Sequence, residues 1–398
     1  MLSGTAIFAV SLPRFKSNPG SLFADWVLGM DGELDWLALS LAPGIGGKTF
    51  HLLLRRFGSP DRVFTSRRRE LEGIPGLKGN TIEAIKSSSL RKTAEREMAR
   101  LRNLNIQIIQ WGTEKYPKYL ANIPDPPPII YMRGTLLPED ERAVAVVGSR
   151  QASTYGLSVC KKICQELAWQ GWTVVSGMAR GIDSAAHKGA LEGGGRTLAV
   201  WGTGLDVVYP PENLALSEEI VSSGAILSEF PLGTPPEPGN FPVRNRIISG
   251  LSLGVTVVEA TVRSGSLITA RMALDQDRQV FAVPGSLGRP VVEGPHRLIK
   301  EGAKLVESGE DIIEELLPML DRRLHRDIEK LPTGEQPELN GKEQQLWELL
   351  GMDPLHIDAI ASAVDFALAE TAELLLRLEI KGLVKQLPGT FFVREFYP

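Results

Sequence analysis

Short apolar runs rich in β-branched residues alternate with helical stretches through the middle of the chain, between residues 143 and 306. Runs of this length with helices between them are typical of an α/β fold with a mainly parallel sheet. The run from Val144 to Val147 is apolar at every position, as expected for a strand that is covered on both faces. The predicted strands are 144–147, 173–176, 198–201, 225–228, 255–259, 280–283 and 304–306.

The segment before this core has helical periodicity from residue 34 to about 88, interrupted by glycine-containing turns at 42–48 and 74–78. Such turns are found in helix-hairpin-helix and SAM-like modules, where the start of the next helix exposes N–H groups that can bind phosphate. A small helical bundle without DNA contact fits the same pattern. A helix at 91–104, a strand at 107–110 and a proline-rich connector then lead into the core.

The chain after the core changes character at residue 321, where charges of both signs mix with prolines and few apolar residues. This composition is typical of a linker. Three helical segments and a two-stranded hairpin turned at Pro388-Gly389 follow, which is the order of a winged helix. The predicted division is a poorly ordered extension at 1–33, a helical domain at 34–110, the core at 111–320, a linker at 321–341 and a winged helix at 342–398.

Composition narrows the class of protein. A chain of 398 residues with 43% hydrophobic residues can fill more than one core. Its apolar runs are shorter than the roughly 18 residues that a bilayer-spanning helix needs, and its first residues lack the polarity of a secretory signal. We therefore expect a cytoplasmic protein without membrane insertion. Cys160 and Cys164 fit core positions of a helix, and with five scattered histidines they show no metal-ligand spacing.

Charge is distributed unevenly along the chain. The net charge is −4, but residues 1–135 carry 19 Lys/Arg against 12 Asp/Glu, and the remainder is acidic. Nucleic-acid contact within the core must then depend on a few well-placed cations. Residues 341–398 hold five Lys/Arg against nine Asp/Glu, so we expect the winged helix to be a protein-contact or regulatory module rather than a duplex-binding one. Its aromatic residues either close the small core or dock a partner; they are Phe391, Phe392, Phe396 and Tyr397.

The first core strand runs into a turn of small residues and one cation, Gly148-Ser149-Arg150, and then into a helix. Sheets of this class bind phosphates at such a position. The glycine fingerprint of dinucleotide binding is absent, and Arg150 suits a phosphodiester better than the close backbone approach that a pyrophosphate requires. We therefore expect no NAD and no other cofactor.

Later strand ends add further small and cationic residues to the same edge of the sheet. The segment 241–246 places an aromatic residue beside alternating cations, the set that stacks a base and neutralises the neighbouring phosphates. Because a duplex hides its base faces, this set favours single-stranded nucleic acid. Alternatively, Phe241 is a core residue and the arginines are solvated or pair with Glu229 and Glu259. The candidate nucleic-acid-binding residues are Gly148, Ser149, Arg150, Arg180, Gly181, Phe241, Arg244, Asn245, Arg246, Ser264, Gly265 and Ser266.

His187 follows Asp183 and Ser184 in a predicted helix. Asp183 and His187 are four residues apart and can pair, but Ser184 has no route to the remaining imidazole nitrogen. We therefore predict a packing role for His187 and no catalytic residue.

Five segments together resemble the family of the DNA-processing protein DprA (Smf): 147–150, 176–187, 209–213, 241–246 and 264–267. The resemblance implies an extended Rossmann-like core that binds single-stranded DNA, forms a homodimer, protects incoming DNA and loads RecA in natural transformation or recombination. It also implies that Arg150 and Arg180 contact phosphates and that Phe241 with residues 244–246 helps to form the pocket. One departure is His296, where the family usually has asparagine.

A nucleotide-processing hydrolase is the alternative, because phosphoribohydrolases of the lysine-decarboxylase-like group share a similar Rossmann-like core. Those enzymes resemble one another in a Pro-Gly-Gly-x-Gly-Thr loop with a nearby catalytic glutamate. The comparable strand here, at 255–259, runs into Ala260-Thr261-Val262-Arg263 without such a loop. The residues therefore favour a binding protein over an enzyme.

Overall fold

The structure, a computed structural model, describes residues 30–320, 339–350, 355–364, 366–381, 383–387 and 389–394. It divides into two compact units, the first ending at Ile312 and the second beginning at Ile313. Most of the predicted N-terminal extension, residues 1–29, and most of the predicted linker, residues 321–338, lie outside the described residues, as do Phe396 and Tyr397.

A nine-stranded sheet dominates the described part of the first unit. Its spatial order is β1-β2-β6-β5-β4-β3-β7-β8-β9. Within the run β6-β5-β4-β3-β7-β8-β9, every pair of neighbouring strands is parallel. At the other edge of this sheet, β1 pairs antiparallel with β2, and β2 pairs antiparallel with β6. The strands are β1 (Gln107–Gln110), β2 (Ile129–Gly134), β3 (Ala143–Val147), β4 (Thr173–Ser176), β5 (Thr197–Trp201), β6 (Ala225–Ser228), β7 (Gly254–Val257), β8 (Gln279–Ala282) and β9 (Lys304–Leu305).

The mainly parallel α/β core is confirmed, and each predicted core strand is present with its ends shifted by no more than two residues. Two features differ from the sequence expectation. The strand β2 follows the proline-rich connector and was not predicted, and β1 joins the central sheet through β2 rather than standing with the helices before it. The sheet therefore extends two strands beyond the predicted set.

Six helices precede the sheet: α1 (Met30–Ser40), α2 (Gly47–Phe57), α3 (Pro60–Thr65), α4 (Arg68–Glu72), α5 (Gly79–Lys86) and α6 (Ser88–Asn103). They share one hydrophobic cluster with the sheet, in which Leu37 and Phe50 belong with Tyr131 and Trp201. The helix α1 includes the last four residues of the predicted extension. A separate helical domain at 34–110 stays a prediction, because its apolar residues and those of the sheet form a common core.

The two glycine turns between these helices differ in their surroundings. At Gly44 a Cβ atom would lie 2.7 Å from Thr81 Oγ1, and at Gly47 it would lie 2.7 Å from Asp125 Oδ1. The first turn is therefore packed against protein. At Gly76, in the second turn, φ is +82° and no atom lies within 4 Å of the Cβ position. The first turn thus fits the interpretation as a small helical bundle without DNA contact. The second turn has open space around Gly76.

The core helices are α7 (Lys118–Ala121), α8 (Thr154–Trp169), α9 (Ile182–Glu192), α10 (Leu214–Ser223), α11 (Asn240–Gly250), α12 (Gly265–Asp275), α13 (Pro290–Lys300) and α14 (Gly309–Leu316). A second hydrophobic cluster joins the sheet to residues of α11 and α12, among them Ile247 and Ala270. Cys160 and Cys164 are fully buried free cysteines in α8, which confirms their predicted core role.

The described part of the second unit has the predicted winged-helix order. Its elements are α15 (Gly341–Leu349), β10 (Leu355–His356), α16 (Ile357–Val364), α17 (Leu368–Ile380), β11 (Val384–Leu387) and β12 (Phe391–Arg394). The strands form an antiparallel sheet in the order β10-β12-β11, of which β10 was not predicted. Phe392 is buried in the small core with Leu346 and Leu375, whereas Phe391 is 38% exposed. No helix within the described ranges combines the length and apolar character that crossing a membrane requires.

Candidate nucleic-acid interface

The carboxyl ends of neighbouring parallel strands bring several predicted site residues to one pocket. Arg150 follows β3, Arg180 follows β4, and Phe241 lies in the first turn of α11. Tyr209 also lines the pocket, although it is not among the predicted site residues. The complete lining is Arg150, Gly177, Ala179, Arg180, Tyr209, Pro210 and Phe241.

The Phe241 ring is half-buried and lies over the end of β5. A Cβ atom at Gly202 would lie 3.1 Å from Phe241 Cδ1, so glycine there lets the ring approach the backbone. The Tyr209 ring packs beside it, with centroids 5.6 Å apart. The guanidinium carbon of Arg150 lies 5.3 Å from the Phe241 centroid, and that of Arg244 lies 5.9 Å away. Both distances are within the range of cation–π attraction, so two cations flank one aromatic ring.

Arg244 is only 3% exposed. Burial lowers the pKa of Arg244 to about 10 although the nearby Asp183 raises it, so the guanidinium is still charged at neutral pH. Its Nε and Nη1 make no hydrogen bond with any described residue. A buried charge with unused donors is costly unless an anion accepts from it.

Gly177 makes room for this arginine. A Cβ atom at Gly177 would lie 1.6 Å from Arg244 Nη1 and 2.7 Å from Asp183 Oδ2. Gly181, at the start of α9, has φ of +77°, and its Cβ would lie 2.3 Å from the Ser149 carbonyl oxygen. The two glycines therefore let the loops after β3 and β4 close around the Asp183 and Arg244 side chains.

Asp183 supplies the negative charge beside Arg244. Burial raises the pKa of the Asp183 carboxyl, while the Arg244 charge and the backbone N–H of Ala179 lower it. The Ala179 nitrogen lies 3.3 Å from Asp183 Oδ2. The buried positive charge of Arg244 is therefore partly compensated by the Asp183 carboxylate.

Arg180 is exposed and already has a partner, Glu212. Its Nη2 donates to Glu212 Oε2 at 3.0 Å, and its Nε donates to Oε1. Exposed ion pairs contribute little to stability, so exchange of the carboxylate for a phosphate costs little.

Arg246, like Arg244 and Asn245, is absent from the pocket lining, but it differs from Arg244 in having a bidentate acidic partner. Its Nη1 and Nη2 donate to the two oxygens of Glu229 at 2.8 and 2.7 Å, and Asp125 Oδ2 lies 3.7 Å from its Nε. Its side chain is 12% exposed and does not line the pocket. The pairing with Glu229 that was the alternative for this arginine is what the structure shows, so Arg246 anchors α11.

The remaining predicted residues also lie outside the pocket lining. Gly148 is packed, since a Cβ there would lie 2.6 Å from Ile182 Cγ1. Ser149 Oγ accepts from the Gln151 N–H at 3.1 Å. At the start of α12, Ser264 Oγ accepts from the Ser266 N–H at 3.3 Å and caps the helix beside the exposed Gly265. Asn245 is half-buried in α11.

His187 and Ser184 have separate partners. His187 is fully buried with Nδ1 2.7 Å from Thr197 Oγ1, and burial, followed by the Arg244 charge, lowers its pKa to about 3. Ser184 Oγ instead donates to the Ala179 carbonyl at 2.7 Å and accepts from Asn213 Nδ2 at 2.8 Å. A histidine held neutral and away from the serine fits the predicted packing role.

His296, which departs from the family pattern, lies in α13. Its Nε2 accepts a long hydrogen bond of 3.4 Å from the Gly285 N–H. The imidazole can therefore supply an acceptor to the loop after β8, as an amide oxygen would.

Two family models match the chain. The model of DNA recombination-mediator protein A matches residues 107–317, and the model of the DprA winged helix domain matches residues 330–390. The chain is 35% identical to Protein Smf of Synechocystis over 90% of its own length and 98% of that protein. It is 41% identical to Protein Smf of Escherichia coli over 76% of its length and 81% of that protein.

A solved structure is similar as well. The X-ray structure of DNA processing protein A (DprA) from Streptococcus pneumoniae aligns with a TM-score of 0.64 and 35% identity, covering 73% of this chain and 99% of that one.

Gly177→Ala should destabilise the protein, because the new methyl group overlaps the Arg244 guanidinium. We expect the free energy of unfolding, from urea denaturation, to fall by about 1–3 kcal/mol, the usual cost of overpacking. Gly79→Ala is the control, since no atom lies within 4 Å of its Cβ position. Equal stability of the two variants would show that Arg244 moves aside freely.

Acid should destabilise the protein through His187. The pKa of His187 is about 3 in the folded protein and 6.5 for an imidazole free in water, so the unfolded chain binds more protons between these pH values. Stability is thus lost as pH falls through that window, by up to about 1.4 kcal/mol per pH unit. In urea titrations from pH 7 to 4, His187→Gln should show a shallower decline than the unmodified protein. Parallel declines would contradict a buried neutral imidazole.

Proposed function

The chain belongs to the DNA recombination-mediator protein A (DprA, Smf) family, and from this membership and the site geometry we propose that it binds single-stranded DNA at the pocket around Phe241. The observation that carries the proposal is one half-buried aromatic ring flanked by the guanidinium groups of Arg150 and Arg244. An unstacked base can lie on such a ring while the neighbouring phosphates meet the cations.

The charges around the pocket support an anionic ligand. Arg150 is exposed and beside the ring, Arg244 has two unused donor nitrogens, and Arg180 can exchange its exposed partner. These arginines belong to the part of the chain that carries a net negative charge, so its sequence does not favour a broad basic surface. A small number of phosphates should therefore be neutralised at defined positions. A duplex cannot offer an unpaired base to Phe241, so single strands are favoured.

A binding role without chemistry fits the groups present. The residues lining the pocket include no carboxylate or imidazole, and the nearby acids are engaged, Asp183 beside Arg244 and Glu212 with Arg180. A phosphoribohydrolase needs an acid or base directed at its substrate. We therefore favour a DNA-binding mediator over the hydrolase.

The finer role that we propose follows from family resemblance. In it the protein acts in the cytoplasm, protects incoming single strands and loads RecA onto them during natural transformation or recombination. Nothing in the part of the chain that the structure describes identifies a surface that would bind RecA.

Self-association is a further part of the proposal. A homodimer would place two DNA pockets on one particle and raise the effective affinity for long strands. Light scattering of the full chain should give the mass of two 43.5 kDa chains at micromolar concentration. A single-chain mass, with and without DNA, would contradict it.

Arg150→Ala should weaken binding of a labelled oligo-dT by about tenfold, since a charge-assisted contact is removed. It should also reduce the slope of log affinity against log salt by about 0.7, the value for one released phosphate contact. The measurement is fluorescence anisotropy at several salt concentrations, with a blunt duplex of equal length in parallel. Arg271→Ala, which removes an exposed charge on α12, is the control.

Equal affinity of the unmodified protein for duplex and single strand would refute the proposal. So would an unchanged salt slope for Arg150→Ala. Arg246→Lys provides a further contrast: because Arg246 pairs with Glu229, its replacement should lower stability and leave the salt slope unchanged.

A further inference from the structure

The fold has a preferred ligand position that the pocket around Phe241 does not use. In the sheet, β4, β5 and β6 lie to one side of β3, while β7, β8 and β9 lie to the other. The strand order thus reverses between β3 and β7, and sheets of this class bind ligands outside the carboxyl ends of the two strands at that point. Here the start of α8 lies beside the residues that follow β7.

The carboxylate of Glu259 occupies this position. Its Oε2 accepts from the Ser153 N–H at 2.8 Å, and its Oε1 accepts from the Ser153 hydroxyl at 2.6 Å. A Cβ atom at Gly156 would lie 2.4 Å from Glu259 Cδ, so glycine in the first turn of α8 makes the necessary space. Glu259 is only 2% exposed. We call the space bounded by Ser153 and Gly156 the anion cup.

The electrostatics of the anion cup match those of a phosphate site. Among the residues that the structure describes, no lysine, arginine or histidine forms an ion pair with Glu259. Its charge is instead met by the N–H and O–H donors of Ser153 and by the positive end of the α8 dipole. These are the elements that hold a phosphate in nucleotide-binding members of the fold class.

We propose that Glu259 is a specificity-determining residue whose carboxylate fills the anion cup and so excludes small phosphate anions and nucleotides from the sheet edge. The edge is then left to a phosphodiester held by the arginines around Phe241, a consequence that rests on the proposed function.

Glu259 also positions the loop that carries Arg150. The carboxylate holds both donors of Ser153, three residues after Arg150, and the Glu259 carbonyl oxygen lies 2.9 Å from where a Gly148 Cβ would be. The Ser153 end of the loop 148–153 is therefore held by the Glu259 carboxylate, and its Gly148 end packs closely against the Glu259 carbonyl group. Glu259 thus occupies the anion cup and also holds the Ser153 end of the loop that carries Arg150.

A comparison of Glu259→Ala with Glu259→Gln distinguishes the effect of filling the anion cup from the effect of the negative charge. Both remove the same negative charge, but only alanine empties the anion cup. We expect inorganic phosphate, titrated calorimetrically into the full chain at constant ionic strength, to bind Glu259→Ala at least about tenfold more tightly than Glu259→Gln or the unmodified protein, as charge-assisted hydrogen bonds replace the lost ones. Phosphate, but not chloride, should also raise the thermal midpoint of Glu259→Ala.

Equal phosphate binding by the two variants would overturn the proposal, because loss of charge alone would then explain it. Phosphate binding by the unmodified protein as tight as that of Glu259→Ala would overturn it as well. If Glu259→Ala does not fold in chloride, phosphate during refolding should restore the folded fraction, and failure to do so contradicts the anion cup. Binding of oligo-dT by the unmodified protein is a separate measurement. It tests the proposed function and not the proposal for the anion cup.

Discussion

The charge of Arg244, buried beneath an aromatic ring, constrains the architecture of the whole sheet edge. A guanidinium at 3% exposure needs an anion nearby and space for its planar head, which Asp183 and Gly177 supply. Asp183 in turn lies in the first turn of α9, whose entry at Gly181 requires a positive φ and contacts the loop that carries Arg150. The loops after β3 and β4 and the helix α11 are therefore arranged around one buried ion.

Three glutamates determine which arginines and which hydrogen-bond donors at this edge of the sheet remain available to a ligand. Glu229 neutralises Arg246 inside the protein, and Glu259 accepts the N–H and the hydroxyl of Ser153 at the start of α8. Glu212 pairs with Arg180 only at the surface, where the pair is readily exchanged. Arg150 then stays exposed beside the Phe241 ring, and Arg244, buried near the same ring, keeps two donor nitrogens that have no partner among the described residues. An acidic body can thus present one narrow cationic position instead of a broad basic face.

The core strands could be predicted because β-branched runs bounded by glycine mark buried parallel strands. The strand β2 could not, since it follows prolines 126–128 and pairs antiparallel with a strand nearly one hundred residues later. Arg150 and Arg180 could be singled out from their positions after predicted strands, and Phe241 from the alternating cations beside it in the sequence. Nothing in the sequence separates Arg246 from Arg244, because their burial and their acidic partners are set by tertiary packing. Tyr209 was likewise hidden, since its contact with Phe241 depends on the loop after β5.

In the DNA complex that we propose, a base of the single strand stacks on Phe241. Ultraviolet cross-linking of oligo-dT to the full chain, followed by mass spectrometry of the modified peptides, locates the base directly. We expect adducts at Phe241 or Tyr209 with the single strand and none when the DNA is a blunt duplex. Adducts confined to the open glycine turn at 74–78 or to α17 would contradict it.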